Sequence, residues 1–275
     1  FHKSDSESTK QSTGTTLIFK ELLDQTRNIY HQLNAEVLKD AVLKKYIQYF
    51  CLNKDSLPNI NIQHYVFDDL NGESSITETD IPKIDKSKKL KVHYSKLAED
   101  ARTITKTENY EAFTINSYKL DKDFLKNNDL RLTSKDEVIE NFEIDLKSLA
   151  KNEIIENSHF LFLVSSDYLD KKDTNERGEL DIPDFDSFVS GANIFHSEEE
   201  IIFDDLENQV NNTINTLYPQ IEKIHQKHQL DLKRLKDMFL LSEDSNAEID
   251  ISINDSDKKI LEKFYTAEAK KKAEL

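Results

Sequence analysis

The chain contains no tryptophan, one cysteine, one methionine, four glycines and four prolines in 275 residues. The single Cys51 excludes an intrachain disulfide, and the helical spacing of its apolar neighbours predicts a buried thiol in a cytoplasmic protein. The glycines, Gly14, Gly72, Gly178 and Gly191, are too scattered for a G-x-G-x-x-G or G-x-x-x-x-G-K-[ST] phosphate loop. Any nucleotide handled by this chain must therefore be held mostly by other residues. No apolar run approaches the ~20 residues that a membrane-spanning helix needs. The residues after Phe1 are polar as far as Thr16 apart from Gly14, so no signal peptide is read there. Cations are fewer than acids, and the net charge of −16 argues against a broad nucleic-acid surface, because acidic faces repel phosphates. The chain begins at Phe1 and its only methionine is Met238, so it is expected to be a piece of a longer protein.

What is present changes texture along the chain. Residues 1–13 are rich in Ser, Thr and Lys, and Thr15-Thr-Leu-Ile-Phe19 reads as a short strand. Asp24 to Leu33 reads as a short helix. Asn34 then offers an N-cap to a longer one, with Leu38, Val42, Tyr46 and Tyr49/Phe50 as its expected buried stripe. From Ile60 to Ile182 the period is two. The runs Ile60–Phe67, Leu90–Tyr94, Phe113–Tyr118, Leu130–Leu132 and Phe160–Val164 alternate, and Val138–Leu146 does so loosely. These predict one sheet of about five or six strands with helix 34–52 across a face.

After Pro183 the helical period returns. Ser197-Glu-Glu-Glu200 reads as a capping box, and Ile202, Leu206, Val210, Ile214, Leu217, Ile221, Ile224, Leu232, Leu235 and Phe239 form a narrow stripe suited to helix pairing. Pro219 breaks or kinks that pattern. Ile249–Ile253 alternates, and Asp255 or Ser256 caps a last helix bearing Ile260, Leu261, Phe264 and Ala267. The expectation is an α+β fold in three parts. Residues 1–22 form a lead-in with a closing strand, 23–190 a mixed sheet with a covering helix, and 191–275 a helical region.

The segment with most chemical content follows Val164. A polar loop, 165–181, carries Arg177 and then Gly178. A guanidinium between two strands suits a phosphate or a carboxylate, and pairing with Asp167, Asp170 or Asp173 is the plain alternative. A calcium loop counted from Asp173 fails, since Arg177 holds the fifth position and Asp184 stands where a bidentate Glu is needed. Elsewhere, His225 and His228 share a helix face without a spaced third ligand, so no metal site is assigned. The cations of Glu99–Thr107 read as a hairpin tip, and Asp181, Asp184 and Asp186 as a solvated turn.

The run Val164-Ser-Ser-Asp-Tyr-Leu-Asp, with Asn175-Glu-Arg177-Gly-Glu, resembles the second-domain loop of the GHKL ATPases, the superfamily of gyrase, the heat-shock chaperones, histidine kinases and MutL. Gly14-Thr15 ahead of a strand is similar to the closing strand of that superfamily's nucleotide-binding fold. The resemblance covers roughly residues 13–185. It implies a transducer domain with a left-handed βαβ unit, ATP with Mg bound by a preceding N-terminal nucleotide-binding domain, Thr15 near the adenine, and Arg177 as the γ-phosphate sensor. It also implies a homodimer that closes on ATP. The family's Asn-bearing helix, Asp-x-Gly motif and glycine-rich lid are absent from this sequence, so the resemblance implies that the chain alone does not hydrolyse ATP. The alternative is a non-enzymatic α+β scaffold with a helical arm.

Overall fold

A computed structural model describes residues 34–66, 69–98, 104–173, 180–192, 199–238 and 255–274. Thr15 and its strand, the helix expected at 24–33, Ser197, the piece 249–253 and Arg177 lie outside the described residues.

Asn34 caps the first helix as expected, its Oδ1 accepting from the Val37 amide at 2.9 Å. Helix α1 (Ala35–Lys45) is followed, after a break at Tyr46, by α2 (Ile47–Leu52). The buried stripe agrees with the expected one at Phe50 and partly at Val42, and differs at the other positions. Ala35, Leu43, Ile47, Phe50 and Cys51 are buried, whereas Leu38, Tyr46 and Tyr49 are 44%, 49% and 48% exposed. Two apolar stripes wind round this pair of helices, and partners choose between them. Small Ala35 faces Gly72 closely, while Ile47 and Cys51 sit on Tyr118, Leu161 and Leu163.

Strands β1 (Ile60–Val66) and β2 (Asp69–Ile76) form a separate antiparallel hairpin, not part of one continuous sheet. β2 escapes a hydrophobic reading because only Ser74 and Ile76 of its eight residues are buried. The main sheet is five-stranded and mixed, as expected of an α+β fold. Its strands are β3 (Lys86–Leu97), β4 (Ile104–Asp121), β5 (Asp129–Ser134), β6 (Glu137–Val138) and β7 (Ser158–Ser165), in the order β3-β4-β7-β5-β6. β7 is buried along seven of its eight residues, the mark of a central strand covered on both faces. It pairs antiparallel with β4 and parallel with β5.

The parallel pair is joined through residues 135–157. That link carries β6 and irregular chain in place of the crossover helix the resemblance implies. The expected Val138–Leu146 strand shrinks to two residues. Its apolar side chains, Ile139, Ile144, Leu146 and Leu149, still enter the core. Side chains from the long helix α5 (Phe203–Leu217) hold this backbone: Glu207 accepts from the Asp145 amide, and Asn211 accepts from the Lys147 amide while donating to the Asp145 carbonyl.

α5 begins at Phe203, with Ile202 as an extended N-cap residue that makes no side-chain cap bond, later than the start expected from Ser197. The edge of β3 captures Glu200, with Ser95 N to Glu200 O at 2.7 Å and Glu200 N to Ser95 O at 3.0 Å. Ile201 and Ile202 are both buried beside that bridge. Pro219 does separate two helices, α5 and α6 (Pro219–Met238). Leu206, Val210, Ile214 and Ile221, part of the stripe read as a pairing surface, pack instead into the sheet's main core, while Phe239 lies outside the described residues. The last helix, α7 (Asp257–Glu274), is capped by Ser256 and packs Ile260 and Phe264 on Leu232. Among the described residues no helix is long and apolar enough to cross a membrane.

Candidate functional site

Alternation places Leu161, Leu163 and Ser165 on one face of β7. The face is apolar under α2 and turns polar where α2 ends. The strand register sets a row there: Lys89 lies opposite Thr114, Thr114 opposite Ser165, and Ser165 opposite Thr133. Above this row a cavity of about 770 Å³ opens among the described residues. Cys51, Leu52 and Lys54 from the end of α2 make one wall, and Pro82, Lys83 and Ile84 another. The far rim is the β5–β6 turn, Lys135 and Asp136, with Asp167 and Asp170. Lys135 and Asp136 have φ of 50° and 62°, the left-handed pair that a tight two-residue hairpin requires.

The cavity's polar groups divide into engaged and open ones. Lys54 Nζ donates to the Ile81 carbonyl at 3.1 Å, and Lys135 Nζ reaches Asp173 at 3.3 Å. Lys83 and Lys89 have no side-chain partner among the described residues. Asn116 Oδ1 accepts from Ser87 Oγ at 2.8 Å, which leaves its NH₂ group to donate elsewhere. Asp170 accepts from the Lys135 amide at 2.8 Å. The carboxylates of Asp136 and Asp167 have no partner among the described residues. Burial pushes the Cys51 thiol up to about 12, outweighing nearby Lys54, so it stays protonated and is not a nucleophile at neutral pH.

The expected loop after β7 starts instead as a helix, α3 (Asp167–Lys172). Ser166 Oγ caps it by accepting from the Leu169 amide at 3.0 Å, and Tyr168 and Leu169 are buried. The signal was present in the sequence as a Ser-Asp pair ahead of apolar residues. Asp173 then bridges by backbone to Leu180, and its carboxylate accepts from Ser134 Oγ at 3.0 Å. Residues 174–179, Arg177 among them, connect these two points and lie outside the described residues. Two of the carboxylates expected to pair with Arg177 are occupied, Asp170 by the Lys135 amide and Asp173 by Ser134 and Lys135.

The base of that segment is tied towards α5. Lys172 Nζ contacts Glu200 at 2.9 Å, and Tyr168 Oη donates to the same carboxylate at 3.2 Å. Burial, and then Glu200, push the Tyr168 phenol far above its usual range, so it remains a donor. The same surface holds Tyr94, which burial and then its bond to Glu111 push up to about 12.

The other candidates have structural roles. His225 and His228 lie partly buried on α6, with His225 Nε2 3.5 Å from Asn215 Nδ2. Burial lowers both imidazole pKa values, and His225 lowers that of His228 further. Among the described residues no group of three His, Cys, Asp or Glu side chains is placed to hold a metal ion. Asp184 is not part of a free turn. It caps α4 (Phe185–Ala192) by accepting from the Ser187 amide at 2.7 Å. Lys106, at the base of the β3–β4 hairpin, turns inward to Asp205 and Ser95. Sequence reasoning missed the cavity lysines. Only Lys89 among them lies in the lysine-rich run Lys86-Ser-Lys-Lys-Leu-Lys91, and only the register assigns it to the same face as Thr114 and Ser165. The chain matches no family model, no curated protein and no solved structure.

Proposed function

We propose that this chain is the transducer and C-terminal portion of a GHKL-type ATP-binding protein, in which Arg177 engages the γ-phosphate of Mg·ATP held by a preceding nucleotide-binding domain. Thr15 sits near the adenine in that arrangement, and ATP-driven closure joins two copies. The observation that carries the reading is the anchoring of the Arg177 segment. It departs and returns at the Asp173–Leu180 bridge, with Asp173 fixed to Ser134 and Leu180 inside the main core. A cation on a six-residue span with both ends fixed gains or loses a phosphate partner at little entropic cost. Its displacement is felt at once by α3. From there Lys172 and Tyr168 pull on Glu200, and Glu200 leads directly into α5. Coupling along that chain of contacts requires a second arrangement of them, selected by the phosphate.

The test is kinetic. In the protein that joins this chain to its nucleotide-binding domain, Arg177→Ala should keep ATP affinity within about threefold and lower turnover by roughly 10- to 1000-fold, the scale of losing one preorganised phosphate donor. Unchanged turnover removes Arg177 from the mechanism. The alternative, a scaffold without nucleotide, predicts no ATP turnover to lose.

A further inference from the structure

We propose that the cavity on the α2 face of the main sheet binds a sugar phosphate, free or as part of a nucleotide. One end of the cavity is rich in donors. Lys83 and Lys89 have no partner among the described residues, and Lys89 lies opposite Thr114 on the neighbouring strand. The Asn116 NH₂ is left to donate because Ser87 fixes its carbonyl oxygen. Two ammonium groups, an amide and a hydroxyl match the acceptor oxygens of a phosphomonoester. The opposite end is acceptor-rich. Asp167 and Asp136 carry open carboxylates there, and carboxylates accept readily from sugar hydroxyls.

The spacing fits the ligand class. Lys89 is on β3 and Asp167 follows β7, two strands away, which is about 10 Å across the sheet. A phosphate over β3 and β4 therefore places an attached sugar over the end of β7. The volume of about 770 Å³ exceeds what a bare phosphate needs and lies in the range of small-molecule sites. The apolar wall of Leu52, Pro82 and Ile84 has room against it for a base, with Ile84 about half exposed.

Calorimetry on the full chain tests this with ribose 5-phosphate, AMP and inorganic phosphate as probes. Ribose 5-phosphate should bind saturably. Lys89→Ala should weaken both ribose 5-phosphate and inorganic phosphate about tenfold or more, the loss of one charge-assisted contact. Asp167→Asn should weaken ribose 5-phosphate and leave inorganic phosphate unchanged. Lys89 and Asp167 are both exposed, so these variants should retain the fold. Arg177→Ala should leave every probe unaffected. Tighter binding of AMP than of ribose 5-phosphate identifies a nucleotide as the source, and equal binding a sugar phosphate alone. Absence of saturable binding by ribose 5-phosphate and AMP overturns the proposal. So does binding that Arg177→Ala abolishes and Lys89→Ala leaves intact. Neither failure touches the ATP reading, which stands on turnover in the Arg177 variant.

Discussion

Asn211→Ala is expected to lower the stability of the chain by about 1 to 3 kcal/mol, since it removes hydrogen bonds to two part-buried backbone groups at roughly 0.5 to 1.5 kcal/mol each. Asn211 is 4% exposed and lies on the inner side of α5. Its Oδ1 accepts from the Lys147 amide at 2.7 Å and from Ser148 Oγ at 3.2 Å, and its Nδ2 donates to the Asp145 carbonyl at 2.9 Å. Residues 139–149 have no ladder of their own, so these bonds stand in for one. Alanine leaves the Lys147 amide and the Asp145 carbonyl without those partners. The neighbouring ion pair of Lys147 with Glu207, each 11% exposed, then loses the backbone that positions it. Asn208→Ala is the control. Asn208 is exposed on the same helix, and its replacement should change stability by less than about 0.5 kcal/mol. Urea unfolding followed by circular dichroism separates the two. Equal midpoints for both variants contradict the role given to Asn211.

Phe162→Ala is expected to cost about 3 to 5 kcal/mol, the range for a large aromatic side chain removed from a tight core. Phe162 is fully buried at the centre of β7, between Ser117 on β4 and Leu130 on β5. Its ring stacks on Phe160 at 6.0 Å with planes 10° apart. No neighbour can move in to fill the space, because both flanking strands are hydrogen-bonded to β7. The effect therefore combines lost burial with a persistent cavity. Tyr65→Ala, at a site 54% exposed, should leave the same unfolding midpoint nearly unchanged. A loss below about 1 kcal/mol at Phe162 would mean that β7 is not the core's central strand.

Legibility of the fold followed the strength of each local signal. The Asn34 cap, the break at Pro219 and the strands around Leu90, Phe113, Leu130 and Phe160 were readable, because each is written in residues a few positions apart. The buried side of α1 and α2 was not. The sets Leu38, Tyr46, Tyr49 and Ala35, Leu43, Ile47 both recur at helical spacing, and only the partners decide between them. β2 lay hidden behind polar residues, since a hairpin beside one helix needs little apolar surface. The helix expected to start after Ser197 begins only at Phe203, beyond the capture of Glu200 by the edge of β3. The candidate site was legible as a segment but not as a place. Val164-Ser-Ser-Asp drew attention to the end of β7, yet the row from Lys89 to Thr133 depends on pairing across four strands.

The central claim is that phosphate engagement at the Arg177 segment is passed through α3 to the rest of the fold. Hydrogen exchange on the protein joined to its nucleotide-binding domain, with and without a non-hydrolysable ATP analogue, tests it most directly. The account predicts slower exchange at the amides of Leu169, Asp170 and Asp173 and of Lys135 when the analogue is bound, and no such change in Arg177→Ala. Identical exchange at these amides with and without the analogue, in a protein that binds it, would contradict the account.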